Sequence, residues 1–253
     1  MKRGGGIGLL LITALIAGAA LLSSGAMASE DKQAEANVKK TAVAQVDLRI
    51  AEAMDTDSKS YVPVSSITVP ESHKIGNKYF PYEGIGWENE LIGYRIYLDE
   101  RAVADVFGKM TREPALQTIV QNSKYHELAP WGLDVMHVGP SMGIGGLGLY
   151  RDGRLQRFGK DATLSADVIS GKGRTAEFQL THSGVEVGGK SGYVRAKYQM
   201  VTGSPVTWVS VESSLPENTL ASGLVTAANA KLFTPKSQSK AGLISRIGAM
   251  ERK

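Results

Sequence analysis

The chain has 253 residues, a formal net charge of +4, 29 glycines and no cysteine. This length allows one large domain or two small ones, and the missing cysteine excludes a disulfide framework, a lipobox anchor and a cysteine-based zinc site. The charge is too mild for a nucleic-acid binder: basic residues cluster only between Lys231 and Lys253, with no basic stripe interleaved with aromatics.

In chain order, Met1-Lys2-Arg3 supplies a charged start, Ile7 to Leu22 a mostly apolar run, and Ala26-Met27-Ala28 a small-x-small site. This is the layout of a secretory signal peptide over residues 1–28. The apolar run is short for a transmembrane span and ends in Ser23-Ser24-Gly25 rather than a stop-transfer flank. Cleavage after Ala28 therefore predicts a periplasmic or secreted protein with no stable membrane anchor. Residues 29–60 read as a polar leader and a first element, Thr41 to Met54, that fits an amphipathic helix or a strand equally well. Tyr61 to Val69 reads as a strand interrupted at Pro63.

The window from Phe80 to Asp99 concentrates acids, an arginine, aromatics and glycines. Within it Ile92, Tyr94, Ile96 and Leu98 alternate with Arg95, Tyr97 and Asp99, which places an apolar face of one strand against a polar one. A face carrying Arg, Tyr and Asp suits a sugar or carboxylate ligand, and equally an ordinary solvated sheet face. Arg101 to Gly108 and Ala115 to Val120 read as short helical or irregular pieces divided by Pro114. Leu133 to Val138 reads as a buried strand, and Leu147 to Phe158 as a hairpin turning at Asp152-Gly153.

Thr163 to Ile169, Thr175 to His182, Tyr193 to Val201 and Val206 to Ser213 are strand-length segments separated by glycine-bearing breaks. Together they predict an all-β fold, an antiparallel β-sandwich over residues 61–226. Residues 227–253 lose the alternation and form an irregular basic tail.

Few residues can carry chemistry. His73, His126, His137 and His182 have no metal-ligand spacing, so neither a metal nor another cofactor is predicted. No Gly-x-Ser-x-Gly elbow occurs, and Gly143 to Gly148 lacks the lysine of a phosphate loop. Close backbone packing or a β-bulge explains those glycines better. Tyr125-His126-Glu127 lies beside Trp131-Gly132-Leu133-Asp134 on a loop feeding a strand. His126 fits a general acid or base, or a surface histidine capping its loop. Trp87 and Trp131 fit either stacking on sugar rings or core packing, and His137 reads as an interior histidine.

Trp87-Glu-Asn-Glu-Leu-Ile-Gly-Tyr-Arg-Ile-Tyr97, followed by Trp131-Gly-Leu-Asp-Val-Met-His-Val-Gly-Pro-Ser-Met-Gly-Ile-Gly-Gly-Leu-Gly-Leu-Tyr150, resembles bacterial domain-of-unknown-function family 4861. The resemblance runs from about Tyr79 to Val201. It implies a galactose-mutarotase-like supersandwich, incomplete at the C-terminus because members are usually longer. It also implies an exported protein that helps dismantle uronate-containing polysaccharides, with a uronate oligosaccharide as substrate and dehydration as the reaction.

That reaction needs a neutralised carboxylate, a base for the C5 proton and an acid for the C4 oxygen. The implied roles are Arg95 on the carboxylate, His126 as base and Tyr97 or Tyr94 as acid, with Tyr97 sharing the face of Arg95. Glu88 and Asp134 would bind sugar hydroxyls. Two alternatives stay open: a non-catalytic carbohydrate-binding module using Trp87, Trp131, Glu88 and Asp134, and a sugar mutarotase or epimerase.

Overall fold

The computed structural model describes residues 8–12, 42–54, 60–119, 124–159, 161–216, 218–226, 231–233 and 245–247. The predicted leader and basic tail therefore lie almost wholly outside the described residues. The strands begin with β1 (Gly8–Ile12), β2 (Ala44–Asp47), β3 (Arg49–Ile50), β4 (Val62–Pro63), β5 (Ser66–Thr68) and β6 (Gly84–Glu88). Next come β7 (Ile92–Tyr97), β8 (Ala104–Lys109), β9 (Gly132–Asp134), β10 (Ile144–Arg151), β11 (Arg154–Gln156) and β12 (Thr163–Ser170). The last are β13 (Lys172–Gly173), β14 (Thr175–Val187), β15 (Lys190–Val201), β16 (Thr207–Ser213), β17 (Leu220–Leu224), β18 (Lys231–Phe233) and β19 (Ser245–Ile247). No helix among the described residues is long and apolar enough to cross a membrane.

The first sheet runs β1-β16-β15-β14-β12-β5, the second β13-β2-β6-β7-β8-β9, and a smaller third β11-β10-β17. Every pairing between these strands is antiparallel. The fold is an all-β sandwich. Because β2 belongs to the second sheet, the sandwich takes in residues ahead of Tyr61, and Thr41 to Met54 resolves in favour of strand.

Alternation places the core. Along β15, Val194, Ala196, Tyr198 and Met200 are buried, and the register sets Ala196 between Leu180 and Val211, and Tyr198 between Phe178 and Val209. From the second sheet Ile85, Trp87, Ile92, Tyr94, Ile96 and Val106 meet them in one cluster. Each such side chain contributes about 1.5–3 kcal/mol through burial. Trp87 is central: its ring lies 5.3 Å from Tyr94, 5.0 Å from Phe178 and 5.7 Å from Tyr198. Its indole N–H donates to Thr207 Oγ1 at 2.9 Å, and the Tyr94 hydroxyl donates to the Pro205 carbonyl at 2.7 Å. The polar atom of each ring is thus satisfied inside the core.

The predicted hairpin is present as β10 and β11, with Asp152 at φ 50° and Gly153 at φ 73°. Positive φ at both central positions is the turn that an Asp-Gly pair favours, since its twist matches the flanking strands. The glycine run before it contains a register irregularity between Ile144 and Gly146, as a bulge requires. Two predictions are corrected. Leu133 to Val138 is not a buried strand, because only Gly132–Asp134 is paired and His137 is exposed. Arg101 to Gly108 is not helical or irregular throughout, because Ala104–Lys109 is a paired strand of the second sheet. Its alternation escapes notice because Asp105 and Lys109 face a buried polar layer rather than water.

His182 is buried, with its ring 4.3 Å from Phe158. Burial lowers its pKa from 6.5 to about 4. The unfolded chain therefore takes up a proton below pH 6.5 that the folded chain refuses until about pH 4. Stability from this group is full above the unfolded value and falls with decreasing pH, by about 3 kcal/mol in all. Urea unfolding of the wild type and His182→Leu at neutral and acidic pH should show the slope reduced in the variant. Equal slopes would place the acid sensitivity elsewhere.

Candidate functional site

The second sheet is buried on both faces. Opposite the apolar core, register aligns Asp47 and Gln45 of β2, Glu88 of β6, Arg95 and Tyr97 of β7, Asp105, Phe107 and Lys109 of β8, and Asp134 of β9. Asp105 is the direct cross-strand neighbour of Arg95, and Asp134 that of Phe107. This polar face is roofed by Tyr82, Leu116, Ile119 and Tyr125, with Trp131 packed against them. Gly86 permits the roof to lie close, since a Cβ there would stand 2.8 Å from both Leu116 Cδ1 and the Tyr82 hydroxyl.

Two acids hold that roof in place. Glu88 accepts from Gln45 Nε2 at 2.7 Å, from Lys109 Nζ at 2.6 Å and from the backbone N–H groups of Ala115 and Leu116, each at 2.9 Å. It caps the short 3₁₀ turn Leu116–Thr118. Asp47 accepts from the Tyr82 hydroxyl and from Arg49, whose Nη2 also donates to the Leu116 carbonyl at 3.0 Å.

Arg95 is the centre of the layer and is 0% exposed. Its Nη2 donates to Asp105 Oδ2 at 2.5 Å, to Asp134 Oδ2 at 2.9 Å and to the Tyr97 hydroxyl at 2.6 Å. Its Nη1 donates to the Tyr82 carbonyl at 2.9 Å. The residues around that carbonyl, Tyr82 and Glu83, both have positive φ (39° and 66°), a strained turn that aims it at the guanidinium. Burial alone would lower the Arg95 pKa, but Asp105, Tyr97 and Asp134 carry it upward, so it stays charged. The Tyr97 hydroxyl donates to Asp105 Oδ2 at 3.1 Å, and its ring lies between Arg95 at 4.2 Å and Arg101 at 3.6 Å. Burial pushes the Tyr97 phenol well up, more than Arg95 draws it down, so it stays protonated.

One group of this network reaches solvent. His126 Nδ1 lies 3.2 Å from Asp134 Oδ2, and the histidine side chain is 62% exposed where the aspartate is 0%. Backbone bonds fix the loop that carries it. Ala129 and Gly132 exchange N–H···O bonds of 3.0 and 2.9 Å, and the Asp134 N–H donates to the Tyr125 carbonyl at 2.8 Å. Gly132, at φ 131°, passes so close to the Gly108 carbonyl that any Cβ would collide with it. The buried carboxylate thus faces the Nδ1 edge of the imidazole within ion-pair distance, and Nε2 is the other ring nitrogen.

The structure thus gathers Arg95, Tyr97, His126 and Asp134 around one carboxylate oxygen and its immediate neighbours. Trp131 is half-buried beside them, 5.9 Å from the Phe107 ring. Trp87 is corrected: strand parity turns it into the core, away from Arg95. Tyr94 turns with it. Glu88 is also corrected, since its oxygens are occupied by Lys109, Gln45 and the backbone rather than open to sugar hydroxyls. Arg95 shares the expected face, but it is enclosed and already pairs two carboxylates, so it positions Asp134 instead of meeting ligand. His137, read as interior, is exposed. Sequence reasoning missed Asp105 and noted Tyr125 without a role. The signal for Asp105 was the alternation of Ala104 and Val106 with Asp105 and Phe107, which sets it opposite Arg95.

The chain matches the family described as Domain of unknown function (DUF4861) over residues 19–252. The chain belongs to the DUF4861 family. The matched span takes in both large sheets apart from β1, and every residue of the site. No curated protein and no solved structure matches the chain. Among the described residues of this DUF4861 chain, no group of three or more His, Cys, Asp or Glu is placed to hold a metal ion. What its site offers is one solvent-facing imidazole oriented by a buried carboxylate.

Proposed function

We propose that this DUF4861 protein is an exported carbon–oxygen lyase that dehydrates a uronic acid of an oligosaccharide. The carrying observation is the exposed His126 imidazole on the fully buried Asp134 carboxylate, itself anchored by Arg95. Burying three charged groups beneath an exposed histidine is a costly way to stabilise a fold, since apolar replacements of such ion pairs are often as stable. It is an economical way to orient a base. A binding module has no use for it, which favours the lyase reading.

In the proposed step His126 Nε2 removes the C5 proton, which the adjacent carboxylate has acidified. The electron pair forms the C4–C5 double bond, and the C4 oxygen leaves as water with a proton returned from the imidazolium. Tyr97, with its hydroxyl committed to Asp105 and Arg95, serves in positioning. Incubation with saturated uronate oligosaccharides should yield a product lighter by one water and absorbing as a conjugated unsaturated acid. Unchanged mass with a shifted anomer ratio would replace this reading by the mutarotase, and retention without conversion by the binding module. Export rests on residues 1–28, whose cleavage would remove β1 and leave β16 at the end of the first sheet; an exported fraction still carrying them would contradict it.

A further inference from the structure

We propose that the cleft beside Arg157 is a carboxylate-binding subsite for an acidic sugar, its ligand class resting on the oligouronate reading above. An open cleft of about 380 Å³ lies between Pro140–Met142, Leu155, Arg157 and the Gly223–Leu224 end of β17. Ligand clefts run from about 300 to 1,000 Å³, so it has room for a sugar unit.

Arg157 is held there without being neutralised. Its Nη2 donates to the carbonyls of Gly139 and Ser141 at 2.5 and 2.6 Å, and its Nε to Ser141 at 3.3 Å. The other arginines around the site have carboxylate partners: Arg49 has Asp47, Arg95 has Asp105 and Asp134, and Arg101 has Asp99 and Glu83. Arg157 pairs with no carboxylate among the described residues, and no acceptor among them takes its Nη1 N–H groups. Burial and the nearby charge of Arg101 lower its pKa, against the pull of Asp99, Tyr97 and Glu100. Met142, Leu155 and Leu224 give the cleft apolar walls suited to the C–H face of a pyranose. Met142 also packs in the small cluster around Tyr97, which makes the cleft contiguous with the surroundings of the charged layer. A uronate carboxylate thus finds an unpaired guanidinium at the surface, where Arg95 is sealed beneath it.

The test is binding of a galacturonate trisaccharide and its methyl ester to the full-length protein carrying His126→Ala, so that turnover does not interfere. The free acid should bind more tightly than the ester by about tenfold to a hundredfold, the range of charged hydrogen bonds, and Arg157→Gln should erase the difference. Leu224→Glu, which leaves the carbonyl contacts of Arg157 intact and supplies a competing carboxylate, should do the same if Arg157→Gln perturbs its loop. Equal binding of acid and ester, or preference for the acid retained in both variants, overturns the subsite. Acid preference through Arg157 together with no elimination product from the wild-type protein, His126 intact, would leave the subsite standing and sink the lyase reading. Elimination with a KM untouched by Arg157→Gln would do the reverse.

Discussion

Replacing Arg95 by alanine is expected to destabilise the protein by about 3–5 kcal/mol, because it strands Asp105 and Asp134 as uncompensated buried charges. That is a large share of the whole stability of a typical domain, about 5–15 kcal/mol, so much of the variant should be unfolded on mild heating. The sequence pattern alone predicts the opposite, a polar-face residue whose loss spares the fold. The difference lies in the roof: once Tyr82, Leu116 and Tyr125 cover that face, a guanidinium on it is an interior cation. Denaturant unfolding of Arg95→Ala, and of Arg95→Met combined with Asp105→Asn, checks this. The double variant should recover part of the loss, since it removes a charge from each side. A single variant as stable as wild type would mean that the layer is hydrated and the network weak.

His126→Ala should behave in the contrary way. The side chain is mostly exposed, so stability should change by no more than about 0.5 kcal/mol. Loss of a proton-transfer group should lower turnover of a uronate oligosaccharide about a hundred- to ten-thousandfold, with KM little altered. Steady-state kinetics beside a melting curve separates the two effects. Turnover within a few-fold of wild type would remove His126 from the chemistry, and the binding-module reading would then lead.

The sandwich was legible because β12, β14, β15 and β16 each bury one face only, and a one-sided strand writes its period into the chain. The second sheet was harder to read for the converse reason. Where both faces are buried, alternation of apolar with polar no longer separates inside from outside, and β8 passed for an irregular segment. The same ambiguity decided the individual residues. Trp87 and Glu88 are adjacent in sequence and looked equally fit to bind a sugar, yet parity sends one into the apolar core and the other beneath the roof. His126 and Asp134 were legible as a pair because both flank a short loop. Asp105, which shares the Arg95 guanidinium with Asp134, depends on a strand register that no local motif encodes.

Strand β7, with hydrogen-bonded neighbours on both sides and packed side chains above and below, has a kinetic consequence. Its amides should be among the last to exchange with deuterated solvent, because no opening smaller than that of the sandwich itself frees them. Asp105, Arg95 and Asp134 are anchored to this slow unit. The arrangement of the site should then persist up to the melting transition, with heat inactivation following global unfolding rather than preceding it as it would for a site borne on a separately mobile lid.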